Sequence, residues 1–129
     1  MLADASPANA KVGQRTLAAL KQPGAEVVVP AIWPLEKANV LARSEGKGLV
    51  KESQIAAFTG LLKRLPIVVD LESAAQSLER TLELARRHRL SAYDAAYLEL
   101  ALRLRVPLTT FDAELKRVAS RTGVDLFPS

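Results

Sequence analysis

The chain has 129 residues, a formal net charge of +4, no cysteine and a single histidine, His88. That length suits one domain spanning residues 1–129, able to bury roughly two-thirds of its unfolded surface without disulfides. The missing thiols and the lone imidazole exclude a thiolate zinc centre. No apolar run approaches the about twenty residues needed to span a bilayer, and no basic segment followed by an apolar one opens the chain. The composition therefore predicts a soluble, cytoplasmic protein with no membrane partner, and a pI near 9.7 hints at an anionic partner without naming one.

In chain order, Val12, Thr16, Leu17 and Leu20 suit a short helix with Gly13 as its weak point, and Gln22-Pro23-Gly24 signals a turn. Residues 26–30, a β-branched run ended by Pro30, read as a buried strand. Leu35, Ala38, Leu41 and Ala42 then recur at helical spacing behind Pro34, and Gly46 and Gly48 close that helix. A further helix over residues 51–64 rests on Ile55, Phe58, Leu61, Leu62 and Leu65, and a strand over 67–69 follows Pro66.

Asp70 offers an N-cap for an amphipathic helix carrying Leu71, Ala74, Ala75, Leu78, Leu82 and Ala85 on its apolar stripe. The helix over 91–105 is apolar around most of its circumference, through Tyr93, Ala95, Ala96, Tyr97, Leu98, Leu100, Ala101, Leu102 and Leu104. It is expected to be central, with Glu99 and Arg103 as its solvent-facing pair. A strand over 106–109, a helix over 112–121 and a strand over 124–127 complete the chain. Short strands alternating with helices, joined by connections too long for hairpins, predict an α/β fold: a short parallel sheet flanked by helices in three layers.

Parallel sheets collect ligands at the carboxyl ends of their strands. Three acids stand there: Glu36 after the first strand, Asp94 in the first turn of the central helix, and Asp112 after residues 106–109. Three carboxylates with no thiol would make an oxygen-ligand site suited to Mg²⁺ or Mn²⁺. Each acid also has a structural explanation. Ser91 and Asp94 fit a capping box, Asp112 fits an N-cap, and Glu36 near a helix N-terminus gains about 0.3 to 1 kcal/mol from the macrodipole. Spacing alone leaves both readings open.

The segments Pro30-Ala31-Ile32-Trp33-Pro34-Leu35-Glu36-Lys37-Ala38-Asn39 and Ser91-Ala92-Tyr93-Asp94-Ala95-Ala96-Tyr97-Leu98-Glu99-Leu100-Ala101 resemble the two longest motifs of PIN-domain ribonucleases, in particular VapC-type toxins. Leu108-Thr109-Thr110-Phe111-Asp112 resembles the family's third signature, and the likeness runs in order from about residue 25 to 127. It implies a PIN-like fold and an endoribonuclease, the toxin of a type II toxin–antitoxin pair, with Mg²⁺ or Mn²⁺ as cofactor. Glu36, Asp94 and Asp112 would be the catalytic and metal-holding residues, Thr110 would position Asp112, and Asn39, one turn from Glu36, would face the same cleft. For Asn39 an ordinary helix-surface amide is the competing reading. The family's partners are RNA and a cognate antitoxin whose tail lies over the cleft, and such proteins commonly form homodimers.

The family's first acid ends an apolar strand at the start of the chain. Asp4-Ala5-Ser6 resembles that sequence, but only Met1-Leu2-Ala3 precedes it and the helix after it is poorly apolar. The expectation is therefore that residues 1–24 match a later part of the family pattern and that the first strand and its acid are absent, as in an N-terminally shortened chain. The alternative is that Asp4 is that acid. Absence of the acid would give a catalytically impaired, PIN-like binding module that holds antitoxin or RNA without cutting.

Arg80, Arg86, Arg87, Arg89, Arg103 and Arg105 concentrate positive charge in the middle of the chain. Arg86, Arg87 and Arg89 are the candidates for tracking an RNA backbone, against the alternative of a solvated helix face.

Overall fold

The computed structural model describes residues 18–72 and 74–128, and the chain divides into two compact units, Gly24–Leu71 and a second made of Glu72–Ser129 with Met1–Pro23. Most of the expected opening helix lies outside the described residues, as does Asp4; Ala18, Ala19 and Leu20 are helical. A turn follows, with Gly24 at φ +78°.

In the unit Gly24–Leu71, β1 (Val27–Val29) pairs in parallel with β2 (Ile67–Val69), Val27 opposite Ile67 and Val29 opposite Val69. Between them run α1 (Trp33–Gly46) and α2 (Glu52–Arg64). Pro34 sits in the first turn of α1, where its missing N–H costs nothing. The Lys51 amide donates to Gln54 Oε1 at 2.8 Å and so closes the start of α2. Neither helix buries a residue completely, and Leu35, Leu49 and Leu61 are 67%, 72% and 44% exposed.

The Asp70 amide donates to the Val29 carbonyl at 2.8 Å, extending the parallel ladder by one bond. The expectation that Asp70 caps the following helix is corrected by where that helix starts, since Leu71 and Glu72 are not helical. The helix, α3 (Ala74–His88), begins four residues later, and Leu71, expected on its apolar stripe, is 92% exposed. The stripe is kept in part. Ala85 packs on the core as expected, joined by Leu84 from beside the stripe, whereas Leu78 and Leu82 are 62% and 43% exposed; the side chains of Ala74 and Ala75 lie outside the described part.

The second unit is built around α4 (Ala92–Leu104) and α5 (Ala113–Arg121), with α3 packed along α4. Its core joins Leu90, Ala95, Leu98, Ala101, Leu108, Leu115, Val118, Ala119 and Val124. Leu98 and Val118 are the largest fully buried side chains, each stabilising by about 1.5 to 3 kcal/mol through the apolar surface it removes from water.

The central position of α4 agrees with expectation, but its faces do not. Tyr93, Leu102 and Leu104 are exposed, while Glu99, expected to face solvent, is buried. The expected strands over 106–109 and 124–127 contract to one parallel bridge, Leu108 opposite Leu126. Local chemistry explains the contraction. The Val106 amide is spent on the Ala101 carbonyl at the end of α4, and Pro107 and Pro128 carry no N–H. Leu108 N–H to Asp125 O (2.8 Å) and Phe127 N–H to Leu108 O (2.9 Å) are the bonds that remain.

Four helices end in one pattern, an amide reaching back five residues: Leu49 to Ser44, Leu90 to Ala85, Val106 to Ala101 and Val124 to Ala119. The left-handed residue it requires is Gly48 after α1 and Gly123 after α5, but Arg89 (φ +55°) after α3 and Arg105 (φ +56°) after α4. The architecture is mixed α/β with a short parallel sheet. No helix among the described residues is long and apolar enough to cross a membrane.

Candidate functional site

Asp94 and Asp112 share the second unit, each at the start of a helix. Ser91 is the N-cap of α4, and its Oγ accepts the Asp94 amide at 3.1 Å, which leaves the Asp94 carboxylate outside that capping bond, half-buried in the first turn. Asp112 is the N-cap of α5. Its Oδ1 accepts the Leu115 amide at 2.8 Å, and its own amide donates to Thr110 Oγ1 at 3.1 Å. Thr110 thus holds the backbone of Asp112 rather than its carboxylate, and the capping bond uses one of the two carboxylate oxygens of Asp112.

Glu36 and Asn39 belong to the unit Gly24–Leu71. Glu36 lies half-buried in the first turn of α1, and Asn39 is exposed one turn further along. Lys37 places its ammonium 5.9 Å from the centroid of the Trp33 ring. Within either unit, among the described residues, no three histidine, cysteine, aspartate or glutamate side chains are gathered to hold a metal ion. The donor chemistry that Asp94 and Asp112 offer is nonetheless that of a hard cation: carboxylate oxygens at helix starts, one of them on Asp112 left over from capping.

Three of the arginines are sorted by their partners. Arg103 and Arg80 are drawn to Glu99 and Glu72, and Arg87 pairs with Glu83 one turn earlier at 2.8 Å. Arg105 lies at the C-terminal end of α4, the far end from Asp94. Arg86 and Arg89 are exposed, with no carboxylate paired to them among the described residues, and Arg89 is two residues before the Ser91 cap.

Two features beside Asp112 were not singled out in the sequence. Lys116, four residues on and hence on the same side of α5, lines a shallow hollow of about 80 Å³ together with Thr110 and Phe127. The i,i+4 spacing from Asp112 was the available signal for Lys116. Phe127 carried none, because its position depends on the pairing of Leu126 with Leu108.

The chain belongs to the PIN domain family, whose model matches residues 4–121. The match runs through both compact units and starts well upstream of residue 25, where the resemblance read from the motifs began. PIN domains have a nuclease-type fold, are generally nucleases and typically use a divalent metal. No curated protein matches the chain.

Proposed function

We propose that the chain is a Mg²⁺- or Mn²⁺-dependent endoribonuclease of the VapC type, the toxin of a type II toxin–antitoxin pair. The observation that carries this reading is the family match over residues 4–121 combined with carboxylates at the starts of α1, α4 and α5. Glu36, Asp94 and Asp112 are the residues that would hold the ion. When bound, a divalent ion in such a site activates water and offsets charge on the scissile phosphate.

The chain's own groups supply position. The Thr110 hydroxyl fixes the Asp112 amide, and the capping bond fixes the Asp112 carboxylate rotamer, so that carboxylate meets a ligand already oriented. Asn39 adds a neutral amide one turn from Glu36. Arg86, Arg87 and Arg89 lie at the end of α3 that leads into the Asp94 helix, where cations draw a phosphate backbone toward the carboxylates. Exposed Leu35, Leu49 and Leu61 support an apolar surface for the cognate antitoxin or for a second copy in a homodimer. The proposed location is the cytoplasm.

The Asp112 capping bond favours a second reading, a PIN-like module that binds antitoxin or RNA without cutting, because that carboxylate already has a structural task. Cleavage of RNA with Mg²⁺, with Mn²⁺ and with EDTA, repeated on Asp94→Asn, separates the two. Cation-dependent cleavage lost in Asp94→Asn supports the nuclease. Cleavage that survives both EDTA and the substitution overturns it, and RNA binding with no cleavage under any condition supports the binding module.

A further inference from the structure

The hollow beside Asp112 has a definite chemical character. It lies on the carboxyl side of the Leu108–Leu126 bridge and is lined by Leu108, Thr110, Lys116, Leu126, Phe127 and Pro128, all in one unit. Leu108 in its lining is buried, whereas Phe127, next to Pro128, is 37% exposed and brings an aromatic ring to it. Lys116 is half-buried, with no carboxylate paired to it among the described residues. Thr110 Oγ1 accepts the Asp112 amide, so its own hydrogen remains available to donate.

We infer that this hollow seats the unpaired RNA nucleotide that flanks the phosphate at Asp112. Its base lies on Phe127 and Pro128, its phosphate meets Lys116, and the Thr110 hydroxyl donates to the sugar or phosphate. At about 80 Å³ the hollow is too small to enclose a base, so the base lies across it, as on an open stacking platform. An aromatic face beside a cation is how proteins hold single strands without reading sequence, whereas a duplex hides its base faces in the stack. This assignment rests on the reading of Asp112 as part of the nuclease site.

The test uses the full chain carrying Asp94→Asn, with Mg²⁺ present, and a short fluorescein-labelled single-stranded RNA of mixed sequence followed by anisotropy. Phe127→Ala is expected to weaken binding about tenfold, within the range of one lost base stack, while Phe127→Trp binds at least as tightly as the parent. Lys116→Ala reduces the slope of log K against log salt by about 0.7, one phosphate contact on a single strand, and Lys116→Arg restores it. An abasic sugar–phosphate oligonucleotide binds the parent and Phe127→Ala alike. Thermal melts of each variant confirm folding, and Phe127→Trp keeps the aromatic bulk if the alanine variant does not fold.

Equal affinity of parent, alanine and tryptophan variants overturns the assignment, as does a salt slope that Lys116→Ala leaves unchanged. Loss of binding to an acidic peptide rather than to RNA also overturns it. If these variants bind RNA like the parent while Asp112→Asn on the otherwise native chain abolishes cleavage, the hollow fails and the nuclease reading stands. Full cleavage by Asp112→Asn instead removes the placement beside a reacting phosphate, whatever Phe127 does.

Discussion

Arg103 Nε–H is shared between the two carboxylate oxygens of Glu99, at 3.0 and 3.1 Å, one turn apart on α4, with Glu99 only 4% exposed. Glu72 and Arg80 extend the pair into a group of two acids and two bases: Arg80 donates to Glu72 at 2.9 Å and stands 3.9 Å from Glu99. A carboxylate taken out of water is tolerated here because its charge is matched and its lone pairs are used.

Removing one partner should therefore cost more than removing both. Arg103→Met is expected to lower stability by about 3 kcal/mol, and the double variant Glu99→Leu with Arg103→Met to recover most of that loss. Urea denaturation measures both. Equal destabilisation of the single and double variants would show that the charge pairing contributes little.

Capping and chemistry should separate at Asp112. Asparagine caps a helix about as well as aspartate, so Asp112→Asn should change stability by only a few tenths of a kcal/mol. The same variant should lose at least about a hundredfold in Mg²⁺-dependent RNA cleavage, since a neutral amide brings no negative charge to the divalent cation that a carboxylate would hold. Asp112→Ala should lose both, with about 1 kcal/mol from the missing cap. Retained cleavage in Asp112→Asn would leave the residue with its structural task alone.

Ser91 provides the converse case. Its Oγ takes the Asp94 amide, so Ser91→Ala should destabilise by about 1 kcal/mol, while Ser91→Asp should fold as well as the parent. The midpoint of chemical denaturation reads this out. No shift for the alanine variant would mean that water replaces the hydroxyl at no cost.

Arg89 and Arg105 occupy the same left-handed position at the ends of adjacent helices, where Gly48 and Gly123 serve α1 and α5. An L side chain there costs about 1 kcal/mol, partly offset by the greater freedom glycine gives the unfolded chain. Arg89→Gly and Arg105→Gly should each raise stability by up to about 1 kcal/mol. Only Arg89→Gly should weaken RNA binding, because Arg105 lies at the opposite end of α4 from Asp94. Equal RNA affinity for both glycine variants would remove Arg89 from the proposed phosphate track.

The order of elements was legible in the sequence because its signals are local. The strand at 67–69 and the caps Ser91 and Asp112 appear where hydrophobic period, proline and capping residues put them. The family was legible for the same reason, in the motifs around Glu36, Asp94 and Asp112. Which face of a helix is buried was not. Periodicity marks an apolar stripe on α3, but the packing against it decides how much of it is used: Ala85 is covered together with Leu84 from beside the stripe, and Leu78 and Leu82 are left to solvent.

By itself, then, the sequence determined the alternation of short strands and helices, their caps and the chemical type of the candidate ligands, all properties of residues within a few positions of one another. Only the tertiary structure decided that Glu99 is buried and paired, that Asp70 lends its amide to Val29, and that Phe127 stands beside Thr110 and Lys116. Each of these depends on a partner remote in the chain or on the packing of a whole helix. Burial and hydrogen bonding are settled by what comes to lie against a residue, which local pattern does not encode.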